Sequence, residues 1–427
     1  MNARDFFAGL PAAHDQGRRP GLTSVCSAHP LVIEAALLEA AATRQPALIE
    51  ATCNQVNQEG GYTGMTPAGF RAFVLAIAGR VGFPVENILF GGDHLGPNPW
   101  RKLPADQAMA RALMMTAAYA GAGFAKIHLD ASMACAGDPD PLPPAIIATR
   151  SALLAKAAER GAGSAGLAAP SYVIGTEVPV PGGAAEELGE LEVTNAAAAA
   201  ATLALHEKAF AALGLTAAYA RVVGLVVQPG VEFGHANVIA FQPVRAAALT
   251  RFRDQTQGVV FEAHSTDYQT TAALTALVQG GFAILKVGPG LTFALREALY
   301  GLDQIAGWLT DYKAGTLPAA METILRAHTG DWAAYYHGPD ALQRLQRHFS
   351  YSDRIRYYWN RPEAQAATDR LFAALEGHKI SETLISQYLP RLYPAVLAGK
   401  LAPEARALAI AAIRAALAPY STACAGG

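Results

Sequence analysis

An aspartate and a histidine stand side by side at Asp93-His94, inside the stretch Gly91-Gly92-Asp93-His94-Leu95-Gly96-Pro97-Asn98-Pro99-Trp100. The apolar run Ile88-Leu89-Phe90 ahead of them reads as a buried strand, and the glycines and prolines give the backbone a fixed, turning path. Both groups are therefore held where a strand meets a loop. Such a pair divides labour: Asp93 moves a proton while His94 holds a metal. Ionisable groups recur in the same setting farther along. Glu50, Asn54, Asn57 and Glu59 follow one apolar run, Glu177 ends another, and Glu232 with His235, Glu262 with His264, and Lys286 mark three more. Lys126, His128 and Asp130 alternate, so on a strand of period two they share one face.

Three imidazoles (His94, His235, His264) and the carboxylate Glu177 suit a borderline divalent ion, zinc first, with nickel, manganese and cobalt accepting the same donors. An ion with an open position polarises a carbonyl or hydroxyl as a Lewis acid. It would keep Asp93 ionised within reach of a substrate proton, with His128 and Asp130 orienting a ligand. Taken singly, each histidine reads more readily as a hydrogen-bonded structural residue, whereas Lys126 and Lys286 read equally as snorkelling or carboxylate-neutralising side chains and as substrate-binding ones. Their joint recurrence at strand ends argues for a site, because every buried charge needs a partner.

The elements that must position these groups form a rhythm. Candidate strands are Leu22–Ser27, Ala47–Thr52, Ile88–Gly92, Ala125–Leu129, Tyr172–Glu177, Val222–Val227, Val259–His264 and Ala283–Val287. Helix-forming stretches alternate with them: Leu31–Ala42, Pro67–Val81, Pro104–Tyr119, Ala145–Glu159, Asn195–Leu213 and Thr270–Val278, several opening on or after a proline. Eight such units over residues 1–301 predict an α/β fold, a (β/α)8 TIM barrel whose C-terminal rim carries the site. An open doubly wound sheet competes, but no GxGxxG follows the first strand. Residues 302–427 lose the strand rhythm and read as a C-terminal helical extension packed on the barrel, with no Ser/Gly linker and with aromatic clusters at Trp332–His337, Tyr351–Trp359 and Tyr388–Tyr393. No disordered tract is expected beyond the two ends.

Composition excludes several classes. With 33 basic and 35 acidic side chains, net charge −2, there is no basic field for nucleic acid. The four cysteines form no CxxC, which argues for a reducing compartment. Residues 1–20 lack a signal-peptide core, and the longest apolar run, near Ala196–Leu205, falls short of the ~20 residues a bilayer needs. The expectation is a cytoplasmic protein with no membrane partner. No GxxxxGK[ST] is present, so a sugar kinase ranks low.

The segments EATCNQVNQEGGYTGMTP (50–67), GGDHLGPNPW (91–100), KIHLDASM (126–133), VVQPGVEFGH (226–235), FEAHSTDYQT (261–270) and YSDRIRYYW (351–359) resemble the Z-type subunit family of tagatose-bisphosphate aldolase, GatZ/KbaZ, over nearly the whole chain. That resemblance implies a TIM barrel working on tagatose-type sugar phosphates. Z-type subunits are described as partners that stabilise a Y-type class II aldolase subunit, whereas some members resemble epimerases acting at C4 of ketohexose phosphates. The motif order also resembles class II aldolases. It implies His94, His235 and His264 as ligands, Glu177 as a ligand or alternative ligand, and Asp93 as the acid–base residue. Where those aldolases place a Gly/Ser-rich phosphate cradle, this chain has Ser265-Thr266-Asp267-Tyr268-Gln269. A phosphate would then be met by Ser265, Thr266 and backbone near Gly288, with Arg354 or Arg356 reaching in; pairing of those arginines with Asp353 or glutamates at a domain seam is the equal alternative.

The leading expectation is a metal-dependent 4-epimerase converting D-tagatose 6-phosphate to D-fructose 6-phosphate by retro-aldol and aldol steps. Asp93 or Glu59 takes the C4 hydroxyl proton, and Lys126 or Lys286 neutralises an oxyanion or phosphate. Asn54 belongs to the substrate-binding set. The alternative is a non-catalytic accessory subunit with an exposed apolar face. Phosphorylated against free sugar, a Y-type partner and a homo-oligomer stay open.

Overall fold

The computed structural model describes residues 2–175 and 191–426. Eight parallel strands close into a barrel: Leu22–Cys26, Ala47–Thr52, Ile88–Leu95, Lys126–Leu129, Ser171–Ile174, Val222–Val227, Val260–Ala263 and Ile284–Val287. Each pairs with its sequence neighbours, and the first closes on the eighth through Leu22 opposite Ile284. The strand interiors are apolar and β-branched, as strands buried on both faces require. The expected helices are present, with Pro30, Pro67 and Pro144 at the first turns of helices Pro30–Thr43, Pro67–Val81 and Pro144–Ser164.

The barrel interior is stacked in layers. Its floor is apolar: Leu22, Leu48, Leu89, Val173, Val223 and Val260 form one cluster. The chain's beginning completes that floor. Helices Ala3–Ala8 and Leu10–Asp15 bury Phe7 and Leu10 in the same cluster, so the N-terminal stretch is ordered, against the expectation of a disordered end. Above the floor lies an ionic layer built on Glu50, Lys126, Glu262 and Lys286. The mouth of the barrel lies above that.

The C-terminal part is helical, as expected, and two of its pieces shape the barrel directly. Helix Ala405–Cys424 packs on helices Pro30–Thr43, Thr271–Gln279 and Pro289–Leu309. Two ion pairs fasten it: Arg406 to both oxygens of Glu34 at 2.6 Å, and Arg414 to Glu39 at 3.0 Å. Among the described residues it is the one helix long and apolar enough to cross a membrane, but Leu408, Ile413, Leu417 and Tyr420 are buried on the barrel. The short 3-10 helix Arg354–Tyr358 reaches over the barrel mouth. Trp332, Tyr336, Tyr358 and Trp359 are interior, so this aromatic cluster is internal packing.

Candidate metal and substrate site at the barrel mouth

Consecutive residues of a strand point to opposite faces, yet Asp93 and His94 both face inward. The third strand makes this possible by bulging. Gly92 lies opposite Ile127 but Leu95 lies opposite Leu129, so three steps on one strand match two on the other. His94 takes the left-handed conformation, φ 49°, rare for a residue with a Cβ and costing about 1–2 kcal/mol. Glycine clears the surrounding space. A Cβ on Gly96 would lie 1.6 Å from the Asp130 carbonyl oxygen, and one on Gly91 2.3 Å from Glu50 Oε1.

The bulge brings His94 to His128 and His264. The three rings form a triangle with centroids 5.0, 5.0 and 5.3 Å apart. Each ring is anchored through one nitrogen by a carboxylate: His94 Nδ1 to Asp130 at 2.9 Å, His128 Nδ1 to Asp93 at 3.0 Å, and His264 Nε2 to Glu262 at 2.9 Å. The His94 backbone N–H also points at His128 Nδ1, at 3.2 Å. One nitrogen cannot both donate to Asp93 and accept from that amide, and the ionised carboxylate is the stronger partner. The proton therefore sits on Nδ1, leaving a lone pair on His128 Nε2, which is buried without a hydrogen-bond partner.

An orphaned imidazole lone pair in a polar, buried cluster is what a cation site requires. One ligand atom from each of Asp93, His94, His128 and His264 lies within 4.8 Å of the others, so this cluster could hold a metal ion. The nitrogens not hydrogen-bonded to a carboxylate are His94 Nε2, which lies 3.7 Å from Asp93 Oδ2, His128 Nε2 and His264 Nδ1. Burial drives the His264 pKa down to about 3, which keeps it neutral.

Beneath the cluster the ionic layer is continuous. Lys126 Nζ lies 2.6 Å from Glu50 and 2.7 Å from Glu262. Lys286 Nζ bridges Glu50 and Asp93, the latter at 2.6 Å, and Ser24 Oγ donates to Glu50 at 2.6 Å. Burial opposes both ammonium charges, but the facing carboxylates win and hold both lysines above their ordinary range. Burial likewise opposes the Asp93 charge; His94, Lys286 and the His128 hydrogen bond overcome it and hold the carboxyl well below its usual range. Asp93 is therefore ionised. Its Oδ1 serves Lys286 and His128, whereas Oδ2 has the weak Cys26 thiol donor at 3.5 Å and His94 Nε2 at 3.7 Å, beyond hydrogen-bond distance.

Asp93, His94, His264 and Lys286 open onto one cavity, to which Asn54, Ser265 and Arg356 also contribute. His128 and Asp130 support it from behind. Other expected residues lie elsewhere. Lys126 is fully enclosed in the ionic layer and does not line the cavity. Glu59 is exposed, paired with Arg111 at 3.1 Å and Trp100 Nε1 at 3.2 Å. His235 contacts Ser350 Oγ at 3.2 Å and the Tyr335 carbonyl at 3.1 Å, outside the triangle that His128 completes. Thr266 Oγ1 donates to the Lys286 carbonyl at 2.6 Å, and Arg354 lines a neighbouring cavity. Glu177 falls outside the described residues. Cys26, Gln55, Tyr62, Asp267 and Tyr357 line the site without having been singled out. For Tyr62 the signal was its Gly60-Gly61 turn, where φ is 103° and 55°.

Comparison with known proteins agrees with this architecture. A curated protein of Agrobacterium fabrum named D-tagatose 6-phosphate 4-epimerase is 54% identical over 419 residues, covering 98% of each chain. A solved structure described as a probable tagatose 6 phosphate kinase, from Sinorhizobium meliloti 1021, is 57% identical with a TM-score of 0.88, covering 95% of this chain and 100% of that one. The profile of the family described as D-tagatose-1,6-bisphosphate aldolase subunit GatZ/KbaZ-like matches residues 7–425. This chain belongs to that GatZ/KbaZ-like family.

Proposed function

We propose that the protein is a metal-dependent ketohexose-phosphate 4-epimerase interconverting D-tagatose 6-phosphate and D-fructose 6-phosphate. The observation that carries this reading is the weakly engaged Oδ2 of an ionised Asp93 beside the anchored imidazole triangle, in one cavity. The name of the Agrobacterium fabrum relative supports it. A divalent ion held by His94, His128 and His264, zinc first among nickel, manganese and cobalt, would acidify a sugar hydroxyl and offset charge developing on the ketose oxygens.

Asp93 is too weak a base to deprotonate an unactivated alcohol, so its role depends on that acidification. Its Oδ2 takes the C4 hydroxyl proton. The C3–C4 bond then breaks, giving an aldehyde at C4 and leaving the bonding pair on the three-carbon fragment as an enediolate. The aldehyde turns to present its other face, the bond reforms, and Asp93 returns the proton to the inverted C4 hydroxyl. Lys286 keeps its charge against Asp93 and faces the cavity, adding a fixed positive potential where negative charge develops. A protonated lysine is no Schiff-base nucleophile, and Lys126 below it serves the scaffold. The kinase description of the Sinorhizobium meliloti structure finds no P-loop motif in this sequence. The four free cysteines fit a cytoplasmic setting.

A second reading, an accessory subunit of a Y-type aldolase, has one feature in its favour. Leu342, Leu345 and Phe349, spaced along helix Asp340–Phe349, are exposed at 44, 55 and 54%. The same experiment separates the two. Purified chain alone is incubated with D-tagatose 6-phosphate and followed by carbon NMR, with and without chelator. Fructose 6-phosphate should appear, vanish on chelation and return with added metal. No conversion after divalent metals are restored would overturn the epimerase and leave the accessory role.

A further inference from the structure

A phosphate ester needs a partner for its phosphate. In (β/α)8 barrels that partner is commonly a helix N-terminus following the seventh and eighth strands. Here a side chain of the protein fills that position. Asp267 Oδ1 accepts from the backbone N–H of Gly288 at 3.0 Å and of Gly290 at 2.7 Å, at the start of helix Pro289–Leu309. A phosphate arriving there would find the amides taken and a carboxylate in place. The cations around the inner cavity are engaged too. Lys286 serves Glu50 and Asp93, and Arg356 donates to the Ser352 and Asp353 carbonyls and to the Tyr357 hydroxyl.

A second cavity adjoins the first and shares Asn54, Tyr62 and Tyr357 with it. It is the roomier one, about 360 Å³ against about 100 Å³. Two arginines lie over the Tyr357 ring, with the Arg356 guanidinium 4.4 Å from its centroid and that of Arg354 5.2 Å away. Arg354 and Arg101 line the outer cavity, against one carboxylate, Asp331, so the formal balance is positive. Arg354 is only 5% exposed. Its Nε donates to the Asp331 carbonyl, its guanidinium stacks 3.4 Å from the Tyr335 centroid, and its Nη1 is buried without a hydrogen-bond partner. A buried guanidinium nitrogen lacking an acceptor is costly, and its planar fork matches phosphate oxygens.

We propose that the outer cavity is the phosphate subsite of this enzyme. Arg354 and Arg101 grip the C6 phosphate, and the sugar runs past Tyr62 and Tyr357 to the imidazole cluster. The inference rests on the epimerase reading for the identity of the ester, whereas its test needs only a phosphate.

The test uses the full chain as purified, with Arg101→Met and Arg354→Lys. Inorganic phosphate is titrated by calorimetry, and kcat/KM is compared for D-tagatose 6-phosphate and free D-tagatose. Each variant should weaken phosphate binding about tenfold and lower the ester-to-free-sugar ratio by at least tenfold. Arg101 is exposed, so its variant keeps the test decisive should Arg354→Lys fold poorly. Wild-type affinity and ratio in Arg101→Met, or changes confined to Ser265→Ala and Asp267→Asn, would return the phosphate to the helix N-terminus and overturn the subsite. Should the wild type bind no phosphate, the subsite falls as well. Phosphate binding that depends on Arg101 in a chain that fails to epimerise would keep the subsite and sink the epimerase; conversion indifferent to either arginine would do the reverse.

Discussion

At the scale of single residues, each imidazole of the triangle works through a carboxylate that never faces the cavity or only partly does. Asp130 is 3% exposed, and three contacts fix it: His94 Nδ1 at 2.9 Å, the Ser132 amide at 3.0 Å and the Ser132 hydroxyl at 2.5 Å. Burial opposes its charge, but the His94 hydrogen bond, the charges of His94 and His128 and the Ser132 hydrogen bond together outweigh burial and hold the carboxyl below its ordinary range. Carboxylate partners of this kind fix the tautomer and raise ligand basicity. Asp130→Asn keeps the shape and loses the charge, so metal affinity should fall by about 10–100-fold. Competition against a chromophoric chelator reads this directly. An affinity within twofold of wild type would remove His94 from the ligand set. The sequence already shows His94, His128, Asp130 and His264 as strand-end groups, because Lys126-Ile127-His128-Leu129-Asp130 alternates visibly. It could not rank His128 over His235. That choice depends on where the loop after the sixth strand travels, and this loop carries His235 to Ser350 and Tyr335.

At the scale of elements, the bulged third strand determines whether there is a site at all. Its Gly91 faces Glu50, whose carboxylate is fixed by Ser24, Lys126 and Lys286. A Cβ there would lie 2.3 Å from Glu50 Oε1 and 2.7 Å from Glu50 Cγ, and Glu50 cannot retreat without stranding two buried ammonium groups. Gly91→Ala should therefore destabilise the fold by roughly 3–5 kcal/mol, the range for breaking a buried ion pair, although the residue touches no substrate. Urea unfolding followed by circular dichroism measures it; a loss under about 1 kcal/mol would mean the ionic layer is softer than its distances imply. The strands and the proline-opened helices were legible because apolar runs and Pro at a first turn are local signals. The bulge was not, since it is a register relation between two strands. The N-terminal helices were missed for a similar reason. Phe7 and Leu10 look like isolated apolar residues in a polar stretch until the open floor of the barrel receives them.

At the scale of the whole molecule, the extension (302–427) is joined to the barrel (1–301) at several points. The first strand is tied to the last helix, with the Gly21 N–H donating to the Cys424 carbonyl at 3.0 Å. Thr266, which follows the imidazole cluster's His264 by two residues, is tied to it as well, since the Tyr420 hydroxyl donates to its carbonyl at 2.7 Å. The extension also delivers Arg356 and Tyr357 to the cavity. Large apolar side chains such as Leu408, Ile413 and Leu417 are each worth about 1.5–3 kcal/mol when buried, against a net stability of about 5–15 kcal/mol for a folded domain. Residues 1–301 expressed alone should accordingly fail to fold. The fragment would show far-ultraviolet ellipticity without a cooperative thermal transition, and it would expose the faces of helices Pro30–Thr43 and Pro289–Leu309 to dye binding or aggregation. A soluble fragment that melts in one sharp transition would show the barrel to be self-sufficient, and would recast the extension as a lid that supplies Arg354, Arg356 and Tyr357 to a preformed mouth. Because Arg354 and Tyr357 of the proposed substrate path come from beyond residue 301, even such a fragment should lose phosphate binding.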